Sequence, residues 1–115
     1  MLKMKKFFVF YHAPQSWSEG MKNASPQDMQ KGMEQWMEWA KKCGNGLVDM
    51  GTPLGNAHKM SKDYHGSSKS DIVGYSILQA ESWVEVKKMI EGHPHLAWGS
   101  GCEIEIHESL PVPGM

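Results

Sequence analysis

Apolar positions first gather between Phe7 and Tyr11, in KKFFVFYHAP, as an unbroken run bounded by lysines and ended by Pro14. A short run without polar alternation predicts a strand buried on both faces. IVGYSILQA, from Ile72, predicts another, with Gly74 marking a bulge or the close approach of a second backbone. The segment from Cys102 to His107 alternates instead, with Cys102, Ile104 and Ile106 on one face and Glu103, Glu105 and His107 on the other. That period of two predicts a half-buried edge strand. LVDM, between the helix stop GNG and the turn signal GTPLGN, supplies a further short strand.

The pattern changes to a helical period after Ser25, which offers an N-cap, with Pro26 and Asp28 in the first turn. Met29, Met33, Trp36, Met37, Ala40 and Cys43 recur at the spacing of one apolar stripe, and the charged residues fall opposite. WSEGMKNA, before Ser25, reads as a polar connector. A second helix begins at Ser82, where Ser82 and Glu85 form an S-x-x-E capping box. Trp83, Val86, Met89 and Ile90 make its apolar side, and Gly92 stops it.

Strand, helix, strand, excursion, strand, helix, strand is the order of the α+β, ferredoxin-like βαββαβ fold, an antiparallel sheet with two helices on one face. The chain reads as one domain over residues 1–115, with a polar excursion at about 56–71 and a proline-containing tail at about 109–115. Two helices cover one face of such a sheet. The apolar second face of the central strands then calls for a partner, and the simplest is another copy, giving a homodimeric α+β barrel.

Charge narrows the partners. The net charge is −1, and all twelve basic residues are lysine, so no broad positive field favours nucleic acid or an anionic membrane, and no arginine fork holds phosphate. The lysine-apolar amino end imitates a secretory signal, but its apolar run is short and YHAP stands where a cleavage site would be needed. Two cysteines without C-x-x-C spacing, beside ten methionines, fit a cytoplasmic setting. The expectation is a small organic ligand with no bound cofactor, no nucleic acid and no membrane.

Candidate chemistry concentrates in EGHPHLAWGSG, from Glu91 to Gly101. His93 reads as a general base at the mouth of a pocket, since an unperturbed imidazole near ~6.5 exchanges protons near neutrality. His12, Trp36, Tyr75, His95 and Trp98 are the candidate ligand-binding residues. A bland alternative makes His93 a cap on the last carbonyls of its helix, with Trp98 plugging the core. Zinc at His93 and His95 needs a third ligand such as His12, His58, His65 or His107. No metal site is assigned.

FFVFYHAP, EQWMEWAKK, LVDMGTPLG, VGYSILQAES and GHPHLAWGSGCEIEIHE, across roughly residues 4–108, together resemble the YCII-related proteins. That resemblance implies the dimeric α+β barrel fold and small-molecule binding. Family members regarded as enzymes carry a histidine near the first helix and an aspartate next to the proline after the second. Here no histidine lies between His12 and His58, and His93 precedes Pro94. Two functional readings stand: a cofactor-independent proton-transfer enzyme of isomerase or lyase type using His93, and a non-catalytic ligand-binding or regulatory homodimer.

Overall fold

The computed structural model describes residues 4–114. Met1 to Lys3, the start of the lysine-apolar amino end, and Met115 lie outside the described residues. The apolar runs form strands β1 (Lys5–His12) and β5 (Ile72–Ala80), the short segment after GNG forms β2 (Leu47–Asp49), and the alternating segment forms β6 (Glu103–Glu108). Their order across the antiparallel sheet is β2-β5-β1-β6. The two continuous runs are central and the alternating strand is an edge, which is the ferredoxin-like arrangement expected.

Alternation along β1 sorts its residues by face. Phe7, Val9 and Tyr11 are buried and join Leu78, Ala80, Val86 and Ile90 in the core, where each large aliphatic or aromatic side chain contributes about 1.5–3 kcal/mol. Phe8 and Phe10 point the other way and are half-buried, opposite Ile77 and Tyr75 respectively on β5. Gly74 meets a second backbone as expected: it bridges Pro53, and the β1–β5 register shifts beside it, between Tyr11 and His12. Gly51, at φ +81°, passes so close to the Tyr75 carbonyl that a Cβ would collide with it.

The described residues form four α-helices, two more than expected. The supposed connector is helix α1 (Gln15–Lys22), and Trp17 within it stacks on Trp98 with ring centres 5.8 Å apart. Its polar residues concealed it, because one aromatic anchor is enough to dock a largely solvated helix of about two turns. Helix α2 (Pro26–Cys43) starts as expected, with Ser25 Oγ accepting from Asp28 N–H at 3.1 Å. Its buried edge differs from the expected stripe. Trp39 and Cys43 are buried and Trp36 is half-buried, whereas Met29, Met33 and Met37 are 53–56% exposed. The wide indole of Trp39, whose N–H donates to the Met89 carbonyl at 2.8 Å, turns the helix away from the methionines.

Helix α3 (Trp83–Ile90) starts at Ser82 without a side-chain cap from that serine. The expected capping box does not form: the Glu85 carboxylate accepts instead from Glu81 N–H, one residue before the cap, at 3.0 Å. After Gly92, at φ +74°, a single-turn helix α4 (Pro94–Ala97) precedes β6. The polar excursion contains a separate hairpin, β3 (His58–Met60) and β4 (His65–Ser67). The hairpin packs chiefly on itself, and the Cα radius of gyration, 16.0 Å, exceeds the roughly 13 Å of a compact chain this long.

Candidate functional site

The chain between α3 and α4 turns His93 inward. Its backbone N–H donates to the Ile90 carbonyl at 3.0 Å, and its ring Nδ1 accepts from His95 N–H at 3.0 Å. His93 therefore caps the start of α4 with its side chain, not the end of α3. A ring whose Nδ1 accepts must carry its neutral-state proton on Nε2. That proton is donated to the Tyr11 hydroxyl at 3.2 Å, Tyr11 donates to Ser76 Oγ at 2.8 Å, and Ser76 donates to the Met50 carbonyl at 2.7 Å. His95 Nε2 donates to the His12 carbonyl at 2.8 Å. The relay runs in one direction through the core, and no buried side-chain polar atom among the described residues lacks a partner.

This polar chain is enclosed by aromatic rings. His93 lies 4.4 Å from Trp39 and 4.6 Å from Trp36, ring centre to centre, and both His93 and His95 are 1% exposed. Burial pushes the His93 imidazole down to about 3, with His95 and Lys42 adding to the effect. Burial also lowers His95, against the pull of the His12 and Glu103 carbonyls. The Tyr11 phenol is raised, mainly by burial. The expected ordinary imidazole at position 93 is thus replaced by a neutral one whose two nitrogens are both occupied.

A cleft of about 500 Å³ lies on the outer side of this corner, between α2 and the turn holding Gly92 and Pro94. Trp39 and Trp98 form walls, and Gln35, Glu38 and Lys42 contribute polar groups. Trp98, half-buried, donates its N–H to Gln35 Oε1 at 3.3 Å; Lys42 Nζ donates to the Glu91 carbonyl at 2.8 Å. His93 does not line the cleft; the residues on either side of it do. A second, almost wholly apolar groove of about 360 Å³ lies between α3 and β6, lined by Trp83, Val86, Ile90, Leu96 and Ile106.

The ligand-binding candidates divide between the two faces of the sheet. Trp36, His95 and Trp98 join His93 on the helical side. Tyr75 and His12 project from the bare face, Tyr75 donating its hydroxyl to Asp49 at 3.3 Å. His12 is held at both ring nitrogens: Nδ1 lies 2.7 Å from Asp71 and Nε2 3.1 Å from Glu105. The hydrogen bond to Asp71 is the largest influence and raises its pKa; burial, next in size, opposes it, the bond to Glu105 adds to the rise, and both carboxylates are lowered in return. Tyr75 and His12 therefore cannot share one pocket with Trp98 within a single chain.

Four contributors were missed. Trp39 sits three residues beyond Trp36, so EQWMEWAKK carries the spacing that makes them neighbours on one helix edge. Ser76 is the single polar side chain at a core-facing position of an otherwise apolar run, a signal that it has a buried partner. Gln35 and Lys42 look like solvated helix positions, and nothing local distinguishes them. His58 and His65 are exposed as expected, and Cys43 and Cys102 are buried free thiols. Among the described residues no three His, Cys, Asp or Glu side chains converge to hold a metal ion, and no helix is long and apolar enough to cross a membrane.

No family model matches the chain, and no curated protein does. Among solved structures, it is similar to 5-chloro-2-hydroxyhydroquinone dehydrochlorinase from Burkholderia phenoliruptrix AC1100 in complex with 2,5-dihydroxybenzoquinone, with a TM-score of 0.51 and 18% identity over 89% of this chain and 90% of that one. At that identity the likeness speaks for the fold, and this chain has the subunit architecture of the α+β barrel proteins.

Proposed function

We propose that this protein binds a small, flat organic molecule in the cleft beside the His93–Trp98 corner, and does so as a homodimer joined through the bare faces of its sheets. The observation that carries the reading is the pairing of indole walls, Trp39 and Trp98, with the polar groups of Gln35, Glu38 and Lys42 around one cleft. Rings stack on indoles, and a few converging polar groups fix their substituents. That the structurally similar dehydrochlorinase holds a hydroxyquinone favours a ring bearing oxygen substituents. The dimer reading rests on Phe8, Phe10, Tyr75 and Ile77, a row of large side chains that no helix covers. A reducing cytoplasm suits its two free thiols.

In this reading His93 and His95 are positioning residues, neutral and locked, that set the corner on which Trp98 stands. The test is a screen of hydroxylated quinones and phenols by backbone amide shifts, with tryptophan fluorescence as a second readout. Shifts should gather on α2 and residues 91–98, and Trp98→Ala with Lys42→Ala should abolish them. Shifts confined to other surfaces would remove the cleft from consideration.

One observation favours cofactor-independent proton transfer of the isomerase or lyase type. His12, partly exposed and oriented by Asp71 at 2.7 Å, has the geometry of an acid whose proton a substrate oxygen could take by displacing the longer contact to Glu105. The acid/base duty expected of His93 then passes to His12. His12 faces the bare side of the sheet, away from the cleft, so the assay takes a ligand whose shifts in the screen gather at His12: its turnover should disappear in His12→Gln, and turnover that survives this change and is lost in His93→Gln would restore the original assignment.

A further inference from the structure

The hairpin of β3 and β4 differs on its two faces. On one, the Tyr64 phenol covers Gly66, where a Cβ would strike it, and Lys59 reaches over the Tyr64 ring at 5.9 Å. Tyr64 also donates its hydroxyl to the Ser67 carbonyl at 3.1 Å. Bonds from Ser61 N–H to the Tyr64 carbonyl, 2.7 Å, and from Ser68 N–H to the Ala57 carbonyl, 2.8 Å, brace the turn and base. This face accounts for the hairpin's own stability.

The other face carries no such packing. His58 pairs with Ser67 and Met60 with His65, and directly paired residues, like residues two apart, project from the same side. His58, Met60 and His65 therefore stand together. The two imidazole centres are 6.1 Å apart, and Met60 is 75% exposed, the most exposed large apolar side chain among the described residues. An unpacked thioether flanked by two solvated imidazoles has no role in the core or in the cleft.

We propose that this face is a binding site for monovalent copper, with a ring nitrogen from each of His58 and His65 and the Met60 sulfur as ligands. Metal–nitrogen bonds of about 2 Å to two imidazoles set their ring centres roughly 5–6 Å apart, so the observed spacing needs little side-chain rotation. Thioether with imidazole selects a soft ion of the copper type over calcium, magnesium or manganese, which require oxygen donors. Three ligands suit the low coordination number of monovalent copper, and the flexible Met60 side chain can reach the ion from either rotamer side. The hairpin backbone holds the donors in register before the ion arrives.

The full chain is titrated with monovalent copper under nitrogen, following imidazole and methionine methyl resonances by NMR. One equivalent should shift His58, His65 and the Met60 methyl together while leaving His12, His93 and His95 unmoved. His58→Ala and His65→Ala should each weaken binding by at least about tenfold, the scale on which even outer contacts matter to metal sites. Met60→Leu, which removes only the thioether, should also weaken copper binding. All three positions are exposed on the hairpin, and unchanged thermal melts would certify the variants. Failure to bind, binding indifferent to these changes, or shifts that move instead to Met29, Met33 and Met37 would each overturn the proposal.

Discussion

Acidification should destabilise this protein through His93 before any of its carboxylates protonate. The imidazole titrates near about 3 in the folded chain, from an ordinary 6.5, so the unfolded chain binds a proton that the folded chain refuses throughout that interval. A base whose folded pKa is depressed in this way draws the equilibrium toward the unfolded state as pH falls below the unfolded value. Between about pH 7 and about pH 5 the linkage integral for this one group comes to about 2 kcal/mol of lost stability, a large fraction of the margin of a domain this size. His95, lowered by the same burial, acts in the same direction. His12, whose pKa is raised, stabilises fully below the unfolded value and loses its contribution only as pH rises through the folded one. Asp71 and Glu105, both lowered, lose theirs only as pH falls through and below the ordinary carboxylate range, and the part of the His12 contribution that returns as pH falls from 7 is the same in both proteins and cancels in a comparison with a His93 variant. Urea unfolding of the native chain and of His93→Gln across this range is the assay, because glutamine can accept from His95 N–H and donate to Tyr11 without titrating. The variant should lose about 2 kcal/mol of the pH dependence. Parallel curves for the two proteins, or a His93 ring resonance titrating near neutrality, would refute the reasoning.

Tyr11→Phe removes the hydroxyl between Ser76 and His93 and strands two buried partners, so chemical denaturation should register a loss of about 1–3 kcal/mol with no change in secondary structure. In Asp71→Asn the strongest influence raising His12 disappears; its ring resonances should titrate at lower pH than in the native chain, and an unchanged midpoint would show that the contact is not kept in solution. Ile77→Lys places a charge in the middle of the bare face, and sedimentation should find the native chain dimeric and this variant monomeric or unfolded. A native chain that sediments as a monomer at micromolar concentration, or a variant that dimerises as before, would remove that interface.

The central strands and the alternating edge were legible because a sheet's side-chain period is two whatever lies around it, and the residues from Phe7 to Tyr11 and from Ile72 onward declare their burial by composition alone. Ser25 and Pro26 likewise announced a helix start through purely local capping. The rotation of α2 was not local. Seven apolar residues compete for one edge of that helix, and two indoles outweigh three flexible methionines only once Met89 and His93 are there to receive Trp39. Helix α1 depended on Trp98 and His95 meeting Trp17 from the far end of the chain. The same holds for the chemistry. GHPH drew attention to His93 correctly, but its protonation state follows from desolvation and from a single backbone N–H, both created by tertiary packing. His12, beside an unremarkable strand end, becomes the histidine held between two carboxylates because β6 and the start of β5 converge on it. Local sequence sets which backbone forms and which side chains seek burial; the dielectric and the charges around a titratable group belong to the assembled fold.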